Sequence, residues 1–225
     1  MTTSLVRNIP CLLLGMTFLA GCSSGHKLMP TPNIYLQESE YPADRVPLHL
    51  QANKVDLLYF TDRAPDHNDL NELSYGSKRS ASMAFGSTVV EIGNDLPWAD
   101  LVKVSESEQR DSSSQLSVIS RTEQGRFPET PYPFSIVDGM WINDAEVEAE
   151  HDRIAAEFKK ELNRRLMMSD DKTVLVFIHG FNNTFDFAAS SLAEVWHFLG
   201  RQGVPILYTW PAGSGGLFGY FTDRE

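Results

Sequence analysis

Apolar and polar positions follow two periods along this chain, and the last third carries the clearest pattern. Five apolar residues, Val174 to Ile178, run unbroken into His179-Gly180-Phe181. Such a run between polar flanks predicts a strand buried on both faces of a sheet. A helical period follows at Ala188, Leu192, Val195 and Leu199, whose offsets place them on one helix face. Upstream, Asn143 to Leu166 predicts a long helix. Asn143 with Glu146 resembles a capping box, and Val147, Ile154, Phe158 and Leu162 form an apolar stripe. Acidic residues crowd its first turns, and Arg164 and Arg165 close it, as the helix dipole favours. Downstream, Val204 to Thr209 reads as another buried strand, ending in Trp210-Pro211 before a Gly-rich loop at 213–219.

The first half is richer in strand signals. Val55 to Phe60 and Thr88 to Ile92 read as strands, and Leu101 to Val104 and Leu116 to Ile119 as weaker ones. Asn68 to Ser82 is polar, with a turn expected at Tyr75-Gly76, and Gln124 to Pro133 reads as a loop. Helix, strand, helix, strand after a strand-rich half predicts an α/β fold. The expected sheet is mostly parallel with right-handed crossovers and leading antiparallel strands.

The N-terminus changes the domain boundaries. Arg7 is the only early cation, Ile9 to Leu19 is a short apolar stretch, and Leu19-Ala20-Gly21-Cys22 follows. This resembles a bacterial lipobox, with cleavage before Cys22 and lipid attached to it; an ordinary secretory signal cut near Ala20 or Gly21 is the other reading. Residues 1–21 are then a signal peptide, 22–50 a Ser- and Pro-rich flexible tether, and 51–225 the domain. Ser23 after the Cys, rather than Asp, favours the outer membrane by its resemblance to sorted lipoproteins. Acyl chains anchor and do not span, so the expected partner is the membrane surface, with the periplasmic face favoured. Cys11 leaves with the signal and Cys22 carries lipid, so no thiol is left for a bridge, a metal or a nucleophile. The formal charge of −11 argues against a nucleic-acid partner. Oligomeric state is not legible.

The motifs then carry a resemblance. Tyr59-Phe60-Thr61-Asp62-Arg63, Tyr75-Gly76 with Arg79, Phe85-Gly86, Val174 to Asn183, Tyr208 to Pro211 and Tyr220 to Glu225 occur in order. Together they resemble a family of bacterial α/β-hydrolases, esterase/lipase-like and formerly a domain of unknown function, over about residues 54–225. The resemblance implies a serine hydrolase acting on a small acyl substrate, without a cofactor. A Ser on a strand-to-helix elbow attacks, a His takes its proton, an acid orients the His, and backbone N–H groups hold the oxyanion. It assigns the oxyanion hole to Phe181 and Gly180, with His179 bracing the turn, against a merely structural His-Gly turn as the other reading, and places Trp210 and Phe181 at the pocket. Plain core aromatics are the other reading of that pair.

The sequence departs from the pattern in one respect. No G-x-S-x-G elbow occurs; Ser214 in Ala212-Gly213-Ser214-Gly215-Gly216 is the nearest, in a loop without a strand or helix. In this fold the acid and His follow the Ser, so the triad is expected downstream and this chain is expected to be a truncated, inactive portion. A sheet closing on Val204–Thr209 would leave that strand's edge bare and the chain aggregation-prone. The alternative is a non-catalytic lipoprotein with a degenerate hydrolase domain used for binding or structure. His197 and His151 read as solvated or boundary residues, and His26, His49 and His67 as linker or loop residues; no His pair has zinc spacing. Asp62-Arg63 and Asp223-Arg224-Glu225 read equally as buried ion pairs or exposed loop charge. Asn183 or Thr184 is the expected cap of the following helix.

Overall fold

A computed structural model of the chain describes residues 26–37, 40–68, 70–109 and 114–212. The elements run in order: α1 (Asn33–Gln37), β1 (Lys54–His67), β2 (Leu73–Ile92), α2 (Trp98–Glu106), β3 (Leu116–Arg126), β4 (Phe134–Val137), β5 (Met140–Asn143), α3 (Ala145–Met168), β6 (Val174–Ile178), α4 (Phe185–Phe198) and β7 (Val204–Thr209). Five strands form one mixed sheet in the order β3-β2-β1-β7-β6, and β4 and β5 form a separate hairpin. The β3–β2 and β2–β1 pairings are antiparallel, and β1–β7 and β7–β6 are parallel. Only β2 therefore runs against the other four, as a mostly parallel α/β sheet with leading antiparallel strands requires.

The two faces of the sheet are covered by different helices. On one, Val55, Leu57, Tyr59 and Leu207 pack with Ala188, Leu192 and Trp196 of α4. On the other, Leu58, Val204 and Ile206 meet Phe158, Leu162 and Leu166 of α3. Asp144, not Asn143, caps α3, its carboxylate accepting from the Glu146 and Val147 amides. Thr184 caps α4 by accepting from the Phe187 amide at 3.2 Å.

Several expectations fail for identifiable reasons. β6 is not buried on both faces. It is an edge strand whose Leu175 and Phe177 face the α4 side, while Val174, Val176 and Ile178 are 40%, 56% and 64% exposed. α3 reaches β7 and stops short of that strip. The bare edge therefore falls on β6 rather than β7, because β7 inserts between β1 and β6. Leu101–Val104 lies in helix α2, and β2 runs straight through Tyr75-Gly76, with the Asn68 amide donating to the Glu72 carbonyl before it. β3 continues to Arg126, past the expected start of a loop. On α4 the stripe ends early: Leu199 is 56% exposed and His197 fully buried.

The flexible tether expected for residues 22–50 is, from His26 on, packed against the domain. Leu28, Tyr41 and Val46 are buried at 2%, 3% and 2% exposure, Lys27 bridges Gln115, and Tyr35 donates to the Phe198 carbonyl at 2.6 Å. These anchors sit mostly in irregular chain, so they share no period and a periodicity reading passes over them.

Candidate active site

Three chain segments meet at the carboxyl ends of the parallel strands, where open α/β sheets place their ligands. β6 ends at Ile178 and hands over to His179, β7 ends at Thr209 before Trp210, and β1 passes through Thr61 to Arg63. Thr61 lies opposite Thr209 in the parallel register.

His179 is buried and its bonds fix its protonation. The Trp210 amide, which can only donate, lies 3.2 Å from Nε2, so Nε2 is the bare acceptor. Nδ1 then carries the hydrogen and donates to the Gly180 carbonyl at 2.7 Å. The Thr209 hydroxyl accepts from Arg63 Nε at 3.0 Å and passes its own hydrogen to His179 Nε2, also at 3.0 Å. Trp210 lies parallel to the imidazole, with ring centres 5.4 Å apart, and its indole N–H donates to the His179 carbonyl at 3.1 Å. Burial lowers the His179 pKa below its ordinary value, and the Arg63 charge acts in the same sense. The residue is a neutral imidazole that positions a turn. Its Nε2 is already engaged twice, which leaves no acceptor for a general base to use.

Arg63 holds the other side of the turn. Its guanidinium is buried and donates to the carbonyls of Gly76 at 2.6 Å, Asn183 at 2.7 Å and Ala212 at 3.2 Å. One cation thus ties β2, the loop after β6 and the loop after β7. Asp62 points to the opposite face and pairs with Arg79 at 2.5 Å. Its Oδ1 is buried with no partner among the described residues, and burial raises its pKa. The question left open for Asp62-Arg63 is thus answered: Arg63 is buried, and Asp62 is a partly buried partner of Arg79.

The turn itself has Asn182 in the left-handed region at φ 60°, and no described atom lies within 4 Å of where a Cβ on Gly180 would sit. Phe181 is 38% exposed and Trp210 is partly buried. Ser214, Asp223, Arg224, Glu225 and Cys22 lie outside the described residues. Among the described residues, no group of His, Cys, Asp and Glu is placed to hold a metal ion.

A second histidine is also buried, against the expectation of a boundary role. His197 lies 2.7 Å from Ser105, a pairing that resembles a nucleophile and its base. The hydrogen bonds exclude that chemistry. Arg201 donates to His197 Nδ1 through Nε at 3.2 Å, so the proton sits on Nε2 and is given to Ser105. Ser105 in turn donates to the Leu101 carbonyl at 2.7 Å. Arg201, pulled down to about 10 by burial, remains charged at neutral pH, donates to the Leu50 and Ala52 carbonyls and lies over the Trp98 ring. Tyr41 joins through its hydroxyl, 3.1 Å from both Nδ1 and the carbonyl of His197. This network fastens residues 41–52 to α2 and α4. His151, by contrast, is partly buried beside Phe127 and Tyr132, and His26 pairs with Glu194 at 3.1 Å.

Residues 154–225, from within α3 through β7 and beyond, match the family described as an alpha/beta hydrolase of unknown function (DUF900). Over that stretch, about a third of its length, the chain is similar to α/β-hydrolases. The resemblance drawn from the motifs holds at this level, and the matched stretch contains His179, Thr209 and Trp210. No curated protein and no solved structure matches. Two members of the constellation were not singled out by sequence reasoning. Thr209 and Thr61 stood only as members of the Tyr208-to-Pro211 and Tyr59-to-Arg63 motifs, with no role of their own; the available signal was their position just before Trp210-Pro211 and Asp62-Arg63.

Proposed function

We propose that the 179–181 turn is the oxyanion-binding half of an acyl-hydrolysing α/β-hydrolase site. The observation that carries this reading is the locked, neutral His179, which fixes the turn at the end of β6 beside open space. In such a site the Gly180 and Phe181 amides would meet the negative oxygen of a tetrahedral intermediate, where preorganised donors act most strongly. Trp210 and Phe181 would line the space for a small acyl group, and no cofactor is needed for this chemistry.

No G-x-S-x-G elbow occurs in the 225 residues, so on this reading the nucleophile, its acid and its His would have to be supplied from outside them. On this reading the 225 residues alone do not hydrolyse esters. The protein would be held at the bacterial outer membrane through lipid on Cys22, on the periplasmic face. His26, the first described residue, is four residues from Cys22, a span of at most about 14 Å. No helix among the described residues is long and apolar enough to cross a membrane. The absence of an elbow also favours, as a second reading, a lipoprotein that binds without catalysing.

The test is a serine-directed fluorophosphonate applied to the purified 225-residue protein, together with the nucleotide sequence past codon 225. The expected result is no adduct, with an elbow, an acid and a His in the continuing frame. An adduct on Ser214 would overturn the division of the site, and a stop codon followed by no triad in any frame would leave the binding reading in its place.

A further inference from the structure

The β4–β5 hairpin is apolar and uncovered. Phe134, Ile136, Val137, Met140, Trp141 and Ile142 are all exposed, Trp141 at 70%. The hairpin closes through Asp138-Gly139, both at positive φ, which suits a tight two-residue reversal. Phe134 and Trp141 stack on one face with ring centres 3.9 Å apart. An isolated two-stranded hairpin is marginal in water, and an apolar patch of this kind marks a place where something docks.

Its surroundings are acidic. Residues 127–152 contain seven carboxylates, from Glu129 to Asp152, and no Lys or Arg. At the foot of the hairpin, where the Asp144 amide donates to the Pro133 carbonyl, lies a cavity of about 680 Å³ bordered by Glu129, Asp144, Glu146 and Glu150. Its one cation, Arg126, is held by Glu123 at 2.7 Å, and Glu150 is held by Arg153 at 2.6 Å. The cavity remains net negative.

We infer that the hairpin and this cavity form a docking surface for a basic protein segment. The segment's apolar side chains cover Phe134, Ile136 and Trp141, and its Lys or Arg enters the cavity. Charge selects this occupant over the other two. A second copy, itself at −11, would bring the same acidic collar against this one, and an anionic bilayer would repel it. The inference does not depend on the hydrolase reading.

The probe is a fluorescent peptide of alternating Lys and Val, with a Glu–Val peptide as its charge-reversed partner, read by anisotropy against the full chain. Expected is saturable binding of the Lys–Val peptide that weakens as salt rises. The Ile136→Ser/Trp141→Ser pair and, separately, Glu146→Lys should each weaken it roughly tenfold. Glu146→Lys leaves the hairpin untouched and so keeps the test valid if the hairpin variant misfolds. Glu106→Lys, on α2, should change little. Four results would each overturn the inference: equal binding of the Glu–Val peptide, an equal loss with Glu106→Lys, insertion into phosphatidylcholine vesicles, or dimerisation abolished by Ile136→Ser.

Discussion

Replacing Thr209 with Val removes one hydroxyl from the centre of the candidate site and almost no volume. In the native chain that hydroxyl accepts from Arg63 Nε and donates to His179 Nε2, both at 3.0 Å, in a fully buried position. The substitution leaves a buried charged donor without its acceptor. Such a loss costs about 2–4 kcal/mol, at the upper end for a single hydrogen-bonding group because the partner is a cation. For a domain of this size the expected fall in Tm is about 5–15 °C. Thr88→Val is the control. Thr88 is equally buried but donates only to the neutral Ser120 carbonyl at 2.9 Å, and its loss should cost about 1 kcal/mol. Urea denaturation of the two variants gives the comparison. A second readout separates the site from general packing. Without the Thr209 donor, the neutral form of His179 loses support, so its pKa should rise towards its ordinary value in an NMR titration. If Thr209→Val costs no more than Thr88→Val and the His179 titration does not move, the Arg63–Thr209–His179 relay is not a determinant of the site.

Acid should loosen the same turn. The folded His179 pKa is lowered, so the unfolded chain binds the extra proton first; the contribution is intact above the ordinary value of 6.5 and is lost as pH falls through the window below it. Urea melts from pH 8 to 5 should show that decline, and His179→Gln should flatten it. Ser105→Ala strips the His197 N–H of its acceptor inside the core and should cost about 1–3 kcal/mol in the same melts, although the residue looks unremarkable in sequence. Val176→Lys, on the uncovered face of β6, should raise the concentration at which light scattering first detects association, without loss of stability; increased association would mean that β6 is not the sticky edge.

The fold was legible where a single period governs a whole element. α3, β6, α4 and β7 follow from the spacing of their apolar residues, because each buries one stripe or run against the sheet. Where elements contribute single anchors, the sequence is mute. Leu28, Tyr41 and Val46 sit in a polar, Pro-containing stretch that reads as a tether, yet the His197–Arg201 network reaches out to hold that stretch. Periodicity also does not report how many faces of a strand are covered. Val174–Ile178 reads as doubly buried because all five residues are apolar, and only the strand order shows α3 stopping short of it. The Asp138-Gly139 reversal between two apolar runs was a readable hairpin signal.

At the site, motif membership located His179, Trp210 and Arg63 but could not say which way a charge points. Thr61-Asp62-Arg63 lies in β1, where alternation sends neighbours to opposite faces. Arg63 therefore goes inward to the carbonyls of Gly76 in β2 and of Asn183 and Ala212 in the loops after β6 and β7, while Asp62 goes outward to Arg79. A buried guanidinium meeting carbonyls rather than a single carboxylate suits a junction better than an ion pair would. Its planar fork can serve several loops at once, and each bond fixes a separate segment. That geometry explains why a residue distant in sequence from the His-Gly-Phe turn belongs to the same constellation. Arg63→Lys should keep the charge and lose the fork, so the loops after β6 and β7 would loosen while β1 stays paired. Hydrogen exchange at residues 179–183 and 210–212 measures that directly. Unchanged protection there, with protection lost instead along β1, would mean that Arg63 serves the strand and not the turn.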